Sequence, residues 1–162
     1  CERDSVKKIH KNWDVFINEG RNIIVASVIC IDEDERILIL KRSETAPRRA
    51  LLWDLPGGHV DLSDNSIEAG GTRELKEEAG LSASTGDLIY IDKTMRGRML
   101  RYFFATREWT GNVKLVPNPK TDILEHIEYK WATIEDIEGL ADPSFPDYIL
   151  RKALVKMRNN NE

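Results

Sequence analysis

Two stretches, Trp53-Asp54-Leu55-Pro56-Gly57-Gly58-His59-Val60-Asp61 and Arg73-Glu74-Leu75-Lys76-Glu77-Glu78-Ala79-Gly80-Leu81, decide how this chain is read. On a helix, Glu74, Glu77 and Glu78 stand at i, i+3 and i+4, so three carboxylates project from neighbouring positions of one face. Arg73, four residues before Glu77, relieves part of their repulsion. A divalent cation relieves far more and suits oxygen ligands, with Mg2+ or Mn2+ as the expected choice. A glycine pair after an apolar strand lets the backbone bend tightly and leaves carbonyl oxygens accessible. Strand end and helix face can then converge on one ion. A Glu-rich helix alone is ordinarily a solvated surface; the ordered string of bend and carboxylates carries the inference.

Outward from this core, residues 22–31 and 36–42 are β-branched apolar runs separated by Asp32-Glu33-Asp34-Glu35, which predicts a hairpin with a solvated acidic tip. Ser43 to Leu52 has no periodicity and reads as a loop. Asn65, with Glu68 three residues on, has capping-box spacing, and Gly80 supplies the stop, so a helix is expected from near Asn65 to Gly80. Strands are expected at 87–95 and 99–107 around Arg96-Gly97-Arg98, and at 127–134. Short helices are expected at 134–140 and 146–158. Residues 5–19, with Val6, Ile9, Trp13, Phe16 and Ile17 at three- and four-residue steps, predict an amphipathic helix within the first 20 residues. Residues 159–162 read as a frayed tail. No repeat or linker divides the chain, so 1–162 is expected to form one domain.

Composition narrows the function classes. The 162 residues are 41% hydrophobic and 32% charged, as in globular proteins, which excludes disorder as a whole-chain description. The 24 basic and 28 acidic residues give a net charge of −4, so no global positive field holds nucleic acid non-specifically. No apolar segment approaches the roughly 20 residues that span a bilayer, and the first residues lack the apolar centre of a signal peptide. With only Cys1 and Cys30, a disulfide framework is not expected, and a cytoplasmic setting is the default.

The residues quoted above resemble the Nudix hydrolase family (MutT-like), whose signature runs G-x5-E-x7-R-E-U-x-E-E-x-G-U with U a bulky aliphatic. Arg73 to Leu81 match its second half completely. The similarity extends more loosely from Asn22 to Leu154, through Leu40-Lys41-Arg42, Trp53-x-Leu55-Pro56-Gly57-Gly58, and Glu125 six residues before Trp131. The first half departs from the pattern: counting from Gly58, Asp64 stands at the Glu position, and eight residues rather than seven precede Arg73.

The resemblance implies an α/β fold, a Nudix-type α/β/α sandwich with a mixed central sheet. It also implies hydrolysis of the phosphoanhydride bond of a nucleoside diphosphate linked to another moiety, here a nucleoside triphosphate or nucleotide sugar. The implied metal ligands are the Gly58 carbonyl, Glu74, Glu78, Glu77 directly or through water, and Glu125. Glu74, Glu77 and Glu125 are the implied catalytic carboxylates, with Arg73 orienting a glutamate and the general base on either the motif helix or the Glu125 loop. Mg2+ is the implied cofactor, with Mn2+ as substitute, and the partner is a small-molecule nucleotide; a homodimer is compatible with the amphipathic segment. The alternative is a nucleotide-binding or regulatory module of the same fold without hydrolysis.

Other residues carry weaker expectations. His59 and His126 read as loop hydrogen-bonders ahead of phosphate contacts, in the absence of a zinc-type cluster, and His10 as structural. Arg48, Arg49, Arg96, Arg98 and Arg101 are available counter-charges, each more simply a solvated surface residue. Trp53, Tyr102 and Phe104 read as core ahead of base-stacking. Gly70 and Gly71, each costing roughly 1 kcal/mol in a helix interior, are expected to allow close packing on the sheet.

Overall fold

The structure, a computed structural model, describes residues 23–46, 50–140 and 145–160. The amphipathic segment 5–19, with His10, and the pair Arg48 and Arg49 lie outside the described residues. In chain order the elements are β1 (Ile23–Cys30), β2 (Ile37–Arg42), β3 (Trp53–Asp54), β4 (Gly57–His59), α1 (Ile67–Ala79), a 3-10 turn (Thr85–Asp87), β5 (Ile89–Arg96), β6 (Met99–Thr106), β7 (His126–Ala132), α2 (Ile134–Glu138) and α3 (Asp147–Asn160). They form an α/β/α sandwich around mixed strands.

The strands form two sheets, ordered β4-β1-β6-β5 and β3-β2-β7. β1 runs parallel to β6 and antiparallel to β4, while β2 pairs antiparallel with both β3 and β7. The expected β1–β2 hairpin is therefore corrected: the two strands enter different sheets, joined at their adjoining ends by the isolated bridge Ile31↔Ile37. Alternation along the strands explains the layering. Ala26, Val28 and Cys30 of β1, with Leu38 and Leu40 of β2, share a core cluster with Ile67, Leu75 and Ala79 of α1. Ile29, Ile37 and Ile39 point the other way, into a cluster with Ile149, Leu150, Ala153 and Met157 of α3.

The acidic turn is only partly solvated. Glu33 and Asp34 are exposed, but the Asp32 carboxylate accepts from the backbone N–H of Asp34 and Arg36 at 3.0 and 2.8 Å, and Glu35 is tied to Arg107 at 3.0 Å. Helix α1 starts at Ile67, with Ser66 rather than Asn65 as N-cap, its side chain accepting from Ala69 N–H at 3.0 Å. Asn65 follows the turn that closes with Asp64 N–H donating to Asp61 O at 3.0 Å and lies one residue ahead of the cap. Gly80 is the left-handed C-cap expected, at φ 75°. The 3-10 turn delays β5 to Ile89, and Asn159 and Asn160, expected in a frayed tail, belong to the last turn of α3, while residues 161–162 lie outside the described residues.

Candidate metal centre

Three elements converge at the bend before α1. Gly57 passes so close to β1 that a Cβ there would lie 2.3 Å from Ala26 O, and a Cβ on Gly58 would lie 2.6 Å from Glu74 Cδ. Both glycines are thus required by close approach, the second by the carboxylate itself. Gly57 N–H donates to Glu78 Oε1 at 2.7 Å. On α1, Leu75 and Ala79 are buried against the sheet, which directs Glu74 and Glu78 toward this bend.

Arg73 organises the acidic face. Its Nε and Nη2 donate to the two Asp64 oxygens at 2.8 and 3.0 Å. Its Nη1 donates to Glu74 at 3.0 Å and to Glu77 at 3.2 Å, and Nη2 also reaches His59 O at 2.9 Å. The hydrogen bonds to Asp64, followed by the charges of Glu74 and Asp64, hold the guanidinium even more firmly protonated than usual. Asp64, at the position where the signature has Glu, is buried and forms a bidentate pair with Arg73. Because α1 runs unbroken from Ile67, the surplus residue is accommodated ahead of it.

The third component comes from the other sheet. Glu78, Glu125 and His126 each offer a ligand atom within 4.8 Å of the others. His126 opens β7 opposite Arg42; it is 3% exposed, with Nδ1 3.8 Å from Glu78 Oε2. Glu125 is exposed; its Oε1 accepts from Asn118 Nδ2 at 2.8 Å, and its backbone carbonyl accepts from Ser43 N–H at 2.8 Å. Burial pushes Glu74 up to about 7 against the opposing charge of Arg73. Burial also raises Glu78 well above the ordinary carboxylate range, opposed by the Gly57 N–H bond. Burial, with Arg42 adding to it, lowers His126 to about 4.

Of the residues singled out in the sequence, Gly58 and Glu74 are in contact, Glu78 and Glu125 come together, and Glu77 leans toward Arg73, outside the three-residue cluster. His126, read as a loop hydrogen-bonder, is instead a buried part of the cluster. Its only sequence signal was adjacency to Glu125. His59 is exposed and contributes its carbonyl. Arg101 is drawn inward, donating to Ser27 Oγ at 2.8 Å and Asp54 Oδ1 at 3.0 Å, whereas Arg96 and Arg98 are exposed. Trp53, Tyr102 and Phe104 pack on the core. The donor set fits a hard divalent cation: carboxylate oxygens with one imidazole, and a largely buried Glu78 engaged by Gly57 N–H through one of its two oxygens.

The family model described as NUDIX domain matches residues 21–152. The chain belongs to the NUDIX family. Its solved relatives include the MutT protein from Methanosarcina mazei Go1, 30% identical with a TM-score of 0.60, covering 87% of this chain and 96% of that one. The NUDIX domain of Shewanella oneidensis NrtR, solved with ADP ribose, is 16% identical with a TM-score of 0.66 over 84% of this chain and 88% of that one, a likeness of fold. Among curated relatives, the putative 8-oxo-dGTP diphosphatase of Bacillus subtilis (strain 168) is 42% identical over 66 residues, 41% of this chain and 40% of that protein. The human m7GpppN-mRNA hydrolase NUDT17 is 37% identical over 65 residues, 40% of this chain and 20% of that protein. These matches thus span a fifth to two fifths of the curated relatives' own lengths. Among the described residues of this NUDIX chain, no helix is long and apolar enough to cross a membrane.

Proposed function

We propose that this NUDIX chain is a divalent-metal-dependent pyrophosphohydrolase acting on a small nucleotide, with nucleoside triphosphates or nucleotide sugars as its substrates. The observation that carries the reading is the convergence of Glu74 and Glu78 on the Gly57–Gly58 bend, with Glu125 facing Glu78 from the other sheet. Relatives named for 8-oxo-dGTP and for ADP-ribose in Mycobacterium tuberculosis (strain ATCC 25618 / H37Rv) support a nucleotide diphosphate derivative as the substrate class.

In this reading the Gly58 carbonyl, Glu74, Glu78 and Glu125 hold Mg2+, or Mn2+ in its place, and Glu77 ligates directly or through water. When bound, the ion offsets charge on the phosphate oxygens. Arg73 positions Glu74 and Glu77. Water attacks a phosphorus, a new P–O bond forms as the bridging P–O bond breaks, and the bridging oxygen leaves with the departing phosphate. A carboxylate takes the proton of the attacking water. Glu125, exposed and held by Asn118, is the loop candidate for that base, and Glu74 the helix candidate.

The test is a Mg2+-dependent hydrolysis screen over nucleoside triphosphates, nucleotide sugars, dinucleotides and capped RNA, with products separated by chromatography. The expected result is cleavage of a triphosphate or nucleotide sugar to a monophosphate product, with Glu78→Gln lowering kcat by at least about 10²-fold while the fold is kept. Near-normal turnover by Glu78→Gln, or no cleavage of any of these substrates by metal-loaded protein, overturns the reading. If Glu125→Gln leaves the pH–rate profile unchanged while Glu74→Gln abolishes activity, the base is on the helix.

A further inference from the structure

His126 is a polar ring almost fully removed from solvent and fixed by its place at the start of β7. Its Nδ1 faces Glu78 Oε2 at 3.8 Å, beyond hydrogen-bonding distance, so neither atom satisfies the other. The second Glu78 oxygen is already engaged by Gly57 N–H, which leaves Oε2 turned toward the imidazole. Two largely buried side chains thus face each other at a separation wider than a hydrogen bond.

The separations fit a shared ion. Donors on opposite sides of one divalent ion, each about 2.2 Å from it, lie about 4.4 Å apart. Neighbouring donors on such an ion lie about 3.1 Å apart, so the ligand atoms of Glu78, Glu125 and His126, all within 4.8 Å of one another and with His126 Nδ1 and Glu78 Oε2 at 3.8 Å, close on a shared ion with shifts of less than about an ångström. Resting on the metal-dependent reading above, we propose that His126 is itself a ligand of the ion, through Nδ1. The centre therefore has a mixed nitrogen and oxygen donor set and selects Mn2+ over Mg2+. Mg2+ takes oxygen donors and retains its waters, whereas a nitrogen donor raises affinity for first-row divalent metals, of which Mn2+ is the weakest binder. This separates the centre from one built of carboxylates alone, where exchanging the two ions changes little.

The experiment uses the full chain with Mn2+ as probe, read by electron spin echo modulation for 14N coupling and by competition titration with Mg2+. Directly coordinated 14N is expected in the wild type and in His59→Asn, and its loss in His126→Asn, which offers an amide in place of the ring nitrogen. Mn2+ affinity should fall at least about tenfold in His126→Asn, with Mg2+ affinity changing less than about threefold. Wild-type protein labelled with 15N-histidine, in which the 14N pattern should be replaced, tests the ligation without a variant. Bound Mn2+ with no nitrogen coupling in the wild type, or coupling that survives in His126→Asn, overturns the proposal and leaves the hydrolase reading intact. Equal loss of both affinities assigns His126 to orienting Glu78 and likewise overturns it. Failure of the wild type to bind either ion overturns the hydrolase reading itself.

Discussion

Arg73 shows how one side chain can organise a charged face. Its guanidinium divides its donors among Asp64, Glu74, Glu77 and the His59 carbonyl, and Asp64 is the buried member of that set. Asp64→Asn keeps the volume and removes the charge. With Arg73 itself 30% exposed, solvent recovers part of the loss, so the expected destabilisation is about 1–3 kcal/mol in urea denaturation. The freed Arg73 should also draw Glu74 and Glu77 toward itself and weaken metal binding. A stability change under about 0.5 kcal/mol would show that Asp64 does not anchor Arg73. The Arg73–Glu77 contact was legible from four-residue spacing. His126 was not: a histidine opening a strand has no periodic signature, and its partner Glu78 is remote in sequence.

At the scale of elements, α1 was legible because its apolar positions and its Gly80 stop are local. Its start was displaced by one residue because Ser66, rather than Asn65, caps the first turn, and both side-chain types suit that position. The β1–β2 partition was illegible for a different reason. Both strands are apolar on both faces, and such runs pair equally well with several neighbours; only the tertiary arrangement chooses β6 and β7. The helix glycines are explained by packing. A Cβ on Gly70 would lie 2.7 Å from Val60 Cγ2 and 3.2 Å from Asp64 Oδ2, whereas one on Gly71 would meet Val28 Cγ2 at 3.3 Å. Gly70→Ala should therefore lower stability by about 1–2 kcal/mol despite the gain of about 1 kcal/mol in helix propensity, and Gly71→Ala should be near neutral. Thermal denaturation of the two variants decides this; a stabilised Gly70→Ala protein would mean that α1 can move off the sheet without penalty.

Over the whole molecule, the metal-free protein carries an electrostatic burden at its centre. Glu74 and Glu78 both have folded-state pKa values above the ordinary glutamate value of 4.5, Glu74 at about 7. Protonation is therefore favoured in the native state: the stabilisation is complete below about pH 4.5 and is lost as pH rises through 7. Other groups act in the opposite sense, among them Asp61, held down chiefly by its Ser63 hydrogen bond, at acid pH, and His126, lowered to about 4 by burial, as pH rises toward 6.5; the raised glutamates outweigh them above that. The metal-free melting temperature should accordingly fall between pH 5.5 and 8, and Glu74→Gln should flatten that fall. Saturating Mn2+ should raise the melting temperature more at pH 8 than at pH 5.5. A metal-free protein equally stable at both values would remove this account of the acidic centre.

The division into two sheets has one more consequence. Gly57 and Gly58 ride on the first sheet, on which α1 also packs, and Glu125 and His126 are carried by the second. One residue of sliding between sheets is about 3.3 Å, more than the slack any shared cation tolerates. The chain thus behaves as a caliper whose jaws are set by Ile31, Ile37 and the aliphatic layers beside them, so a cavity opened far from the carboxylates would still be felt as a change in jaw width.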